Sequence, residues 1–301
     1  MSGQALALVL TAALLHALWN IAAKKAGGDS RFALMTSLLI LVLWAPVGVW
    51  AGWRDAAAWS PSQMVNCLTI ILASGLIHLV YFNTLLRGYR LSDLTVVYPV
   101  ARGSGPLLSS AGAVLILGEH MGALGVAGVL GVCFGVFLIA GGPGLFRQTR
   151  KQAHDPAKRQ RLHTGLRYGA MTGALIAGYT LVDGYAVKVM LISPIVIDYF
   201  GNAFRLPFLL PTLLRDPNGF KHAWRAQWRY ALLVAAISPL GYVLVLYAVQ
   251  MAPLSHVAPA REVSMLFATL LGGKLLGEGE RGWRLAGAAC IAAGVVSLAT
   301  G

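Results

Sequence analysis

The sequence predicts an all-α integral membrane protein of ten transmembrane helices, arranged as two inverted five-helix repeats. Hydrophobic residues make up 57% of the 301 residues and charged residues only 12%, whereas a soluble domain carries roughly 25% charged residues. The apolar residues form runs close to the ~20 residues that a helix needs to cross a bilayer. Short motifs of the first half also recur in the second half at a constant spacing. A soluble helical protein would need polar helix faces, and residues 126–139 offer none.

The ten apolar segments are separated mostly by short polar spacers, which predicts that consecutive helices are antiparallel. A helix bundle satisfies the backbone of such segments in lipid. Two spacers are longer and basic, residues 143–167 and 215–229. The first of them separates a predicted first repeat, residues 1–142, from a second repeat, residues 168–301, and is predicted to be a cytoplasmic linker. In chain order the segments cover residues 3–23, 31–51, 64–86, 94–117, 122–141, 168–190, 193–214, 229–250, 254–276 and 281–300.

The third to fifth segments recur as the eighth to tenth with an offset of 159 residues. Chance readily produces one such match, but not a long series without gaps. The first two segments match their counterparts more weakly, as Asn20 does with Asp183. The matched pairs of the later helices are Ala101-Arg102 with Ala260-Arg261, Gly118-Glu119 with Gly277-Glu278, Gly128 with Gly287, and Gly135 with Gly294.

The net charge of +13 is distributed over loops and does not mark a nucleic-acid-binding face. Basic residues follow the odd-numbered segments, while the other loops carry only Arg54 and Lys188. Because loops rich in lysine and arginine stay in the cytoplasm, both termini are predicted to lie outside. Equivalent loops of the two halves differ in charge, as inverted repeats require. We therefore predict a multi-pass protein of the bacterial cell inner membrane, in contact with the lipid bilayer and not with nucleic acid.

The chain shows no pattern for a metal site, a cofactor or covalent catalysis. Cys67, Cys133 and Cys290 lie inside apolar segments without metal-ligand spacing. The GxSxG, HExxH and phosphate-loop motifs do not occur in the sequence. We therefore predict no enzymatic activity, no catalytic or metal-binding residue and no cofactor. A membrane enzyme or a flippase that acts on a lipid or polyprenyl phosphate stays open as the alternative, because a lateral opening toward lipid leaves no mark in the sequence.

Several features together carry a resemblance to a known family. They are the duplicated five-helix unit, the Gly-Glu pair that closes the fourth and ninth helices, the glycine-spaced fifth and tenth helices, and the opening His16-Ala17-Leu18-Trp19-Asn20 followed by Lys24-Lys25. In this order they resemble the EamA-type transporters of the drug/metabolite transporter superfamily over nearly the whole chain. The resemblance implies a ten-helix secondary transporter whose central cavity is formed largely by helices other than five and ten. Many members keep both termini in the cytoplasm, whereas the charge pattern here predicts the opposite.

Helices four and nine carry prolines at matched positions, Pro99 and Pro259, each followed closely by an arginine. Proline interrupts a helix, and interrupted helices form the midplane sites of inverted-repeat transporters. A charge at the bilayer centre costs roughly 2.5–3.5 kcal/mol, so the retention of Arg102 and Arg261 indicates a use for both. Guanidinium groups bind carboxylate or phosphate. The sequence therefore predicts a small anionic or zwitterionic substrate, such as an amino acid, an organic phosphate or a phosphonate, moved by alternating access.

Other arrangements of these two arginines stay open. Each can form an internal ion pair, with Glu262 or Asp183 as partner, or snorkel to the interface. Internal neutralisation would make an amine or a hydrophobic drug an equally good substrate. The acidic side chains can also bind a proton or a substrate amine, which leaves proton coupling open.

Further polar and aromatic residues complete the predicted site. Ring faces and hydroxyls can contact a solute, and histidines or an acid–base pair on one helix face can carry protons. The predicted substrate-binding residues are Arg102, Arg261, Trp19, Asn20, Tyr98, Tyr179, Asp183, Tyr81, Tyr242 and Glu262. The predicted gating or coupling residues are His16, His78, Asp198, Arg205, Pro99 and Pro259.

Two remaining features are predicted to be structural. Glu119 and Glu278 precede short turns, where a carboxylate can accept hydrogen bonds from helix N-terminal amides. The glycines of the fifth and tenth helices allow close helix approach in lipid. Such faces pack within one chain or between two, so a monomer and a homodimer both stay open.

Overall fold

The computed structural model describes residues 1–27, 29–143, 155–271 and 281–301. Regular structure in these ranges is helical, and they contain no β-strand. Gly277, Glu278 and residues 144–154 of the predicted linker lie outside them. The helices are α1 (Gly3–Lys25), α2 (Ser30–Leu43), α3 (Ala45–Ala58), α4 (Pro61–Leu91), α5 (Leu94–Ile116), α6 (Ala123–Ile139), α7 (Pro156–Lys188), α8 (Pro194–Leu209), α9 (Pro211–Arg215), α10 (Pro217–Met251), α11 (Leu254–Ala260), a 3₁₀ turn (Arg261–Val263), α12 (Ser264–Leu271) and α13 (Arg281–Thr300).

Four of the described helices, α1, α4, α10 and α13, are long and apolar enough to cross a membrane. A fifth span results if α2 and α3 are counted as one bent span. These helices confirm the predicted all-α membrane fold, whereas the count of ten stays a prediction. Helix α5 is less apolar because it contains Arg102 and three serines.

Two helices begin earlier than their apolar segments predict. Helix α7 begins at Pro156 instead of residue 168, and α10 begins at Pro217 instead of residue 229. Their first turns therefore occupy stretches that the sequence analysis assigned to basic spacers. Hydropathy detects only the part of a helix that suits lipid, while lysine and arginine are themselves good helix formers. Both helices consequently continue beyond their apolar segments.

Two predicted segments are each divided into a longer and a shorter helix or into two equal helices. Helices α2 and α3 meet at Trp44 with a bend of 66°. Pro46 lies in the first turn of α3, where it cannot donate the hydrogen bond that would continue α2. Helix α8 likewise ends at Leu209, and Pro211 begins α9. In both places a proline marks the start of the new helix.

The matched prolines of helices four and nine have different effects. Helix α5 continues through Pro99 and Pro106, so the predicted interruption of helix four is wrong. A proline removes only its own backbone donor, and membrane helices tolerate this loss where neighbouring groups compensate. In helix nine the prediction is confirmed, because α11 ends at Ala260 and the chain changes to a 3₁₀ turn directly after Pro259.

The chain divides into two compact units, and each unit draws on both halves of the sequence. Compactness therefore does not follow the predicted repeats, whose boundaries stay a prediction. The first unit comprises Met1–Leu6, Ile77–Leu181 and Met251–Gly301, and the second unit comprises Ala7–Leu76 and Val182–Gln250.

Within the first unit, α6 packs closely against α13 through glycines. A Cβ atom on Gly135 would lie 2.7 Å from the carbonyl oxygen of Gly287, and one on Gly128 would lie 2.8 Å from that of Gly294. The reverse contacts have the same lengths, 2.7 Å and 2.8 Å. Since Gly128 is the repeat-equivalent of Gly287, and Gly135 that of Gly294, equivalent residues exchange places across this contact. An inverted repeat predicts such an exchange.

The second unit is held together by an apolar cluster and by polar contacts between helix ends. Helix α8 packs on α2 and α3. The Asp55 carboxylate of α3 accepts a hydrogen bond of 2.9 Å from the Ser193 amide, at the start of α8. An ion pair joins Arg31 to Asp216 ahead of α10. The buried cluster consists of Ala22, Phe32, Met35, Ala223, Ala231 and Val234.

Candidate functional site

A narrow cavity in the first unit brings together polar residues from three parts of the chain. Each part contributes residues spaced by three or four positions, which places them on one helix face. Its free space is the size of a single water molecule. The lining residues are Arg102, Pro106 and Ser109 of α5, Ile176, Tyr179 and Thr180 of α7, and Ala258, Arg261 and Glu262 around the end of α11.

Arg102 and Glu262 form an ion pair in this cavity, with 3.2 Å between Arg102 Nε and Glu262 Oε2. The Arg102 side chain is 17% exposed and that of Glu262 is 6% exposed. The same two atoms have no hydrogen-bond partner, because their mutual orientation does not meet hydrogen-bond geometry. Arg102 Nη2 also lies 3.3 Å from the hydroxyl of Ser264, to which it donates. Of the arrangements that the sequence left open, the structure therefore adopts the internal ion pair with Glu262.

Arg261 lines the same cavity and belongs to the 3₁₀ turn that also carries Glu262. The Glu262 carboxylate interacts electrostatically with both Arg261 and Arg102. Two cationic groups and one anionic group thus surround one small space, and their formal charges sum to +1. Because the ion pair with Glu262 does not cancel both guanidinium charges, the cavity stays suited to an anionic group.

Thr180 and Ser109 contribute hydroxyl groups that the sequence analysis did not single out. Thr180 is 6% exposed, and its Oγ1 has no hydrogen-bond partner. The Ser109 hydroxyl donates to the Pro106 carbonyl oxygen at 3.1 Å. A helical-face argument finds Ser109, since it lies seven residues after Arg102 on α5. Thr180 is found in the same way only if the cavity-facing role of its neighbour Tyr179 is already known.

Aromatic rings predicted to contact substrate lie beside this cavity. The ring of His78 stacks on that of Tyr179, with 4.0 Å between centroids. Tyr81 meets Tyr179 edge-on at 5.5 Å. The Arg102 guanidinium carbon lies 5.9 Å from the centre of the Tyr98 ring. Four predicted side chains, three of them tyrosines, thus form one aromatic layer around Arg102 and the cavity.

The remaining acidic and basic candidates lie in the second unit. Asp183 is fully buried and accepts a hydrogen bond from the Tyr242 hydroxyl. Asp198 of α8 interacts electrostatically with Asp183 and with Arg205. Arg205 also donates from Nε to the Gly201 carbonyl of its own helix at 3.1 Å. The structure therefore groups Asp183, Asp198, Arg205 and Tyr242 as a second polar cluster.

The candidates of the first helix also belong to the second unit. The rings of His16 and Trp19 meet edge-on, with centroids 4.8 Å apart. Asn20 is exposed, and its amide donates to the His16 carbonyl oxygen at 2.7 Å. That contact within one helix gives Asn20 a structural role in this conformation, and its predicted substrate contact stays a prediction.

The comparisons with known proteins can be set beside this geometry. The model of the EamA-like transporter family matches residues 164–300, which include α11, the 3₁₀ turn and most of α7. This chain belongs to the EamA-like transporter family. The resemblance predicted from the sequence motifs is therefore confirmed, and with it the assignment as a multi-pass membrane transporter.

A solved crystal structure of another protein shares the fold of this EamA-like transporter. Its TM-score is 0.68 at 18% sequence identity, and the match covers 99% of this chain and 96% of the other. At this identity the likeness concerns the fold alone. No curated protein matches the transporter in sequence.

Glu119 performs the structural role predicted for it, but at a different helix. Its Oε1 accepts from the Leu254 amide at 2.7 Å and its Oε2 from the Ser255 amide at 2.8 Å. These amides begin α11, so the carboxylate holds the helix that ends at the cavity of the EamA-like transporter. The carboxylate is attracted by the free amides at a helix N-terminus. Its repeat partner, Glu278, lies outside the described residues.

The part of the chain that the structure describes contains no group of three or more His, Cys, Asp or Glu side chains able to hold a metal ion. Cys133 instead lies against α5, with its Sγ 3.4 Å from the Gly103 carbonyl oxygen. Cys67 is buried, and Cys290 is partly buried on α13. The three cysteines are free thiols within helices.

Proposed function

We propose that this EamA-like transporter is a secondary active transporter that moves a small anionic or zwitterionic metabolite by alternating access. The metabolite binds in the cavity of the first unit, where Arg102, Arg261 and Glu262 meet. The observation that carries the proposal is the convergence of two guanidinium groups on one small, largely buried space. Charged groups inside a membrane protein are costly and are typically retained for function.

A guanidinium group in such a place can bind carboxylate, phosphate or phosphonate through paired hydrogen bonds. Low exposure strengthens these bonds, because little water competes for them. Tyr179 and the Thr180 hydroxyl supply a ring and a further polar contact. The site therefore combines charge recognition with a shape-selective wall, as small-molecule sites generally do.

The cavity in this conformation admits little more than a water molecule, so a metabolite requires the cavity to open. Helix α5 is continuous, whereas helix nine changes to a 3₁₀ turn at Arg261. A break of this kind allows two helix segments to move relative to each other. We infer that opening takes place at this turn and brings Arg261 and Glu262 into the entry path.

The test uses purified protein in proteoliposomes. The transported solute is first identified as the member of a panel of amino acids, organic phosphates, phosphonates and amines that most raises the melting temperature. Arg102→Ala and Arg261→Ala are each expected to raise the KM for its uptake by about 10–100-fold, since a charge-assisted hydrogen bond contributes about 1.5–3 kcal/mol. Arg90→Ala serves as the matched control, because Arg90 is exposed at the end of α4. Uptake that is unchanged in both cavity variants would refute the site, and stabilisation by amines alone would refute the substrate class.

We further infer insertion in a bacterial inner membrane with both termini outside, on the basis of the charge bias between loops. A monomer is favoured, because the glycine faces of α6 and α13 are already packed against each other. Proton coupling has its candidates in the acidic residues Glu262, Asp183 and Asp198, with His78 beside the cavity.

A further inference from the structure

The charges around the cavity alternate in sign. Glu262 interacts with Arg102 on α5 and with Arg261 on its own turn, so that its carboxylate is the anionic partner of two cationic groups. All three side chains line the same space. A ligand that matches this order presents an anionic group, a cationic group and a second anionic group.

We propose that the substrate is an amine that carries two acidic groups, such as an acidic amino acid, with a net charge of −1. Its ammonium group binds Glu262, one acidic group binds Arg102, and the other binds Arg261. This inference rests on the proposed function and narrows its substrate class. It assigns a separate chemical task to each of the three charged side chains.

Unfilled hydrogen-bonding capacity in the cavity supports this assignment. Arg102 Nε, Glu262 Oε2 and Thr180 Oγ1 are buried atoms without a hydrogen-bond partner. Buried polar atoms are normally paired, so three such atoms around one space indicate groups that a ligand completes. A guanidinium N–H can donate to a ligand acid, a carboxylate oxygen can accept from a ligand ammonium, and the threonine hydroxyl can do either.

The charge balance points to the same ligand class. The formal charges of Arg102, Arg261 and Glu262 sum to +1, and a ligand of charge −1 brings the occupied site to zero. A simple dicarboxylate would leave Glu262 facing a like charge, which is unfavourable in a buried site. A neutral amino acid has one acidic group and would leave one guanidinium without an anionic partner from the ligand. Only the amine with two acidic groups places opposite charges at all three contacts.

The surrounding groups do not disturb this balance. The other titratable side chains that face the ion pair are uncharged tyrosines and a thiol, which add hydrogen-bonding capacity without a formal charge. They are Tyr81, Tyr98, Tyr179 and Cys133.

Three probes of similar size isolate the three contacts. L-Aspartate carries the amine and both acids, L-asparagine lacks the second acid, and succinate lacks the amine. Binding to the purified full chain is measured by isothermal titration calorimetry, and uptake is measured in proteoliposomes. The proposal expects L-aspartate to bind at least about tenfold more tightly than either analogue, because each analogue loses one charge-assisted contact. Equal affinity for the three probes, tighter binding of either analogue, or no binding of L-aspartate overturns it.

Two variants then assign the contacts. Glu262→Gln is expected to abolish the preference for L-aspartate over succinate, and Arg261→Gln to abolish the preference for L-aspartate over L-asparagine. Retention of both preferences in these variants contradicts the assignment. If a variant does not fold, the comparison of the three probes on the unmodified protein still decides the proposal.

The substrate class and the proposed function fail in different ways. Uptake of L-asparagine or succinate that depends on Arg102 and Arg261 would leave the transport site in place and overturn the substrate class. Uptake of L-aspartate that is unaffected by Arg102→Ala and Arg261→Ala would instead overturn the site on which both rest.

Discussion

At the residue scale, the ion pair between Arg102 and Glu262 sets the chemistry of the cavity. Removing two charges from water is costly, and a buried pair recovers that cost only with good geometry and further hydrogen bonds. Here the paired atoms are not aligned for a hydrogen bond, and Arg102 has one additional contact with Ser264. Such a pair is a weak source of stability, which is consistent with a role in binding.

Thr180 provides a test that separates binding from stability. Because its hydroxyl has no partner within the protein, Thr180→Val removes no existing hydrogen bond and keeps the volume of the side chain. We expect thermal stability to stay the same or rise, since an unpaired buried hydroxyl costs about 1–3 kcal/mol. The KM for the transported solute should rise by about tenfold, as expected for the loss of one hydrogen bond. Thermal unfolding in detergent and uptake assays measure the two effects.

Thr172→Val is the matched control for this variant. Thr172 is also buried on α7, but its hydroxyl donates to the Tyr168 carbonyl oxygen at 2.7 Å. The control should leave KM unchanged and not raise stability. A fall in stability with unchanged KM for Thr180→Val would show that its hydroxyl is structural.

At the element scale, the contact of α6 with α13 depends on the absence of side chains at matched glycines. Gly135→Ala would place its Cβ 2.6 Å from Ile291 Cγ1 and 2.7 Å from the Gly287 carbonyl oxygen. We expect a loss of about 1–3 kcal/mol in stability, because the two backbones must separate. The melting temperature of the purified protein in detergent measures this loss.

Gly282→Ala is the control for this prediction. A Cβ on Gly282, at the start of α13, would meet nothing within 4 Å. This variant should retain the melting temperature of the unmodified protein. Equal melting temperatures for Gly135→Ala and Gly282→Ala would mean that α6 and α13 do not approach each other as closely as described.

At the scale of the whole molecule, the two ends of the described chain lie together within the first unit. The Met1 ammonium group donates to the Ala299 carbonyl oxygen at 2.7 Å. An even number of membrane crossings likewise places both termini on one side. The contact does not assign that side, and the distribution of basic residues does so through the positive-inside rule.

A pair of reporters tests this topology. With alkaline phosphatase fused after Gly301, we expect enzymatic activity, because the predicted C-terminus is external. Green fluorescent protein at the same position should stay dark. The same reporters fused after Gly142 provide the internal control, since the predicted linker is cytoplasmic and should give the opposite pattern. Fluorescence after Gly301 would place both termini inside and reverse the predicted orientation.

The sequence predicted the site best where a charge was out of place. Arg102 and Arg261 stand out because arginine is rare in apolar segments, and both line the cavity. Thr180 and Ser109 were missed, because hydroxyl residues are common in membrane helices and their use depends on which helix lies opposite. Trp19, Asn20, Asp183 and Tyr242 matched the chemistry of a binding site, but they belong to the second unit.

By itself, the sequence determined the membrane-protein class, the helical fold and the relation between the halves, because apolar runs and repeated motifs are properties of the chain order. The helix boundaries in the basic spacers and the different effects of Pro99 and Pro259 depended on neighbouring residues and required the structure. Only the tertiary structure decided that Arg102 pairs with Glu262, since these residues are 160 positions apart. No local pattern specifies a partner at that distance, and the packing of α5, α7 and α11 brings the two side chains together.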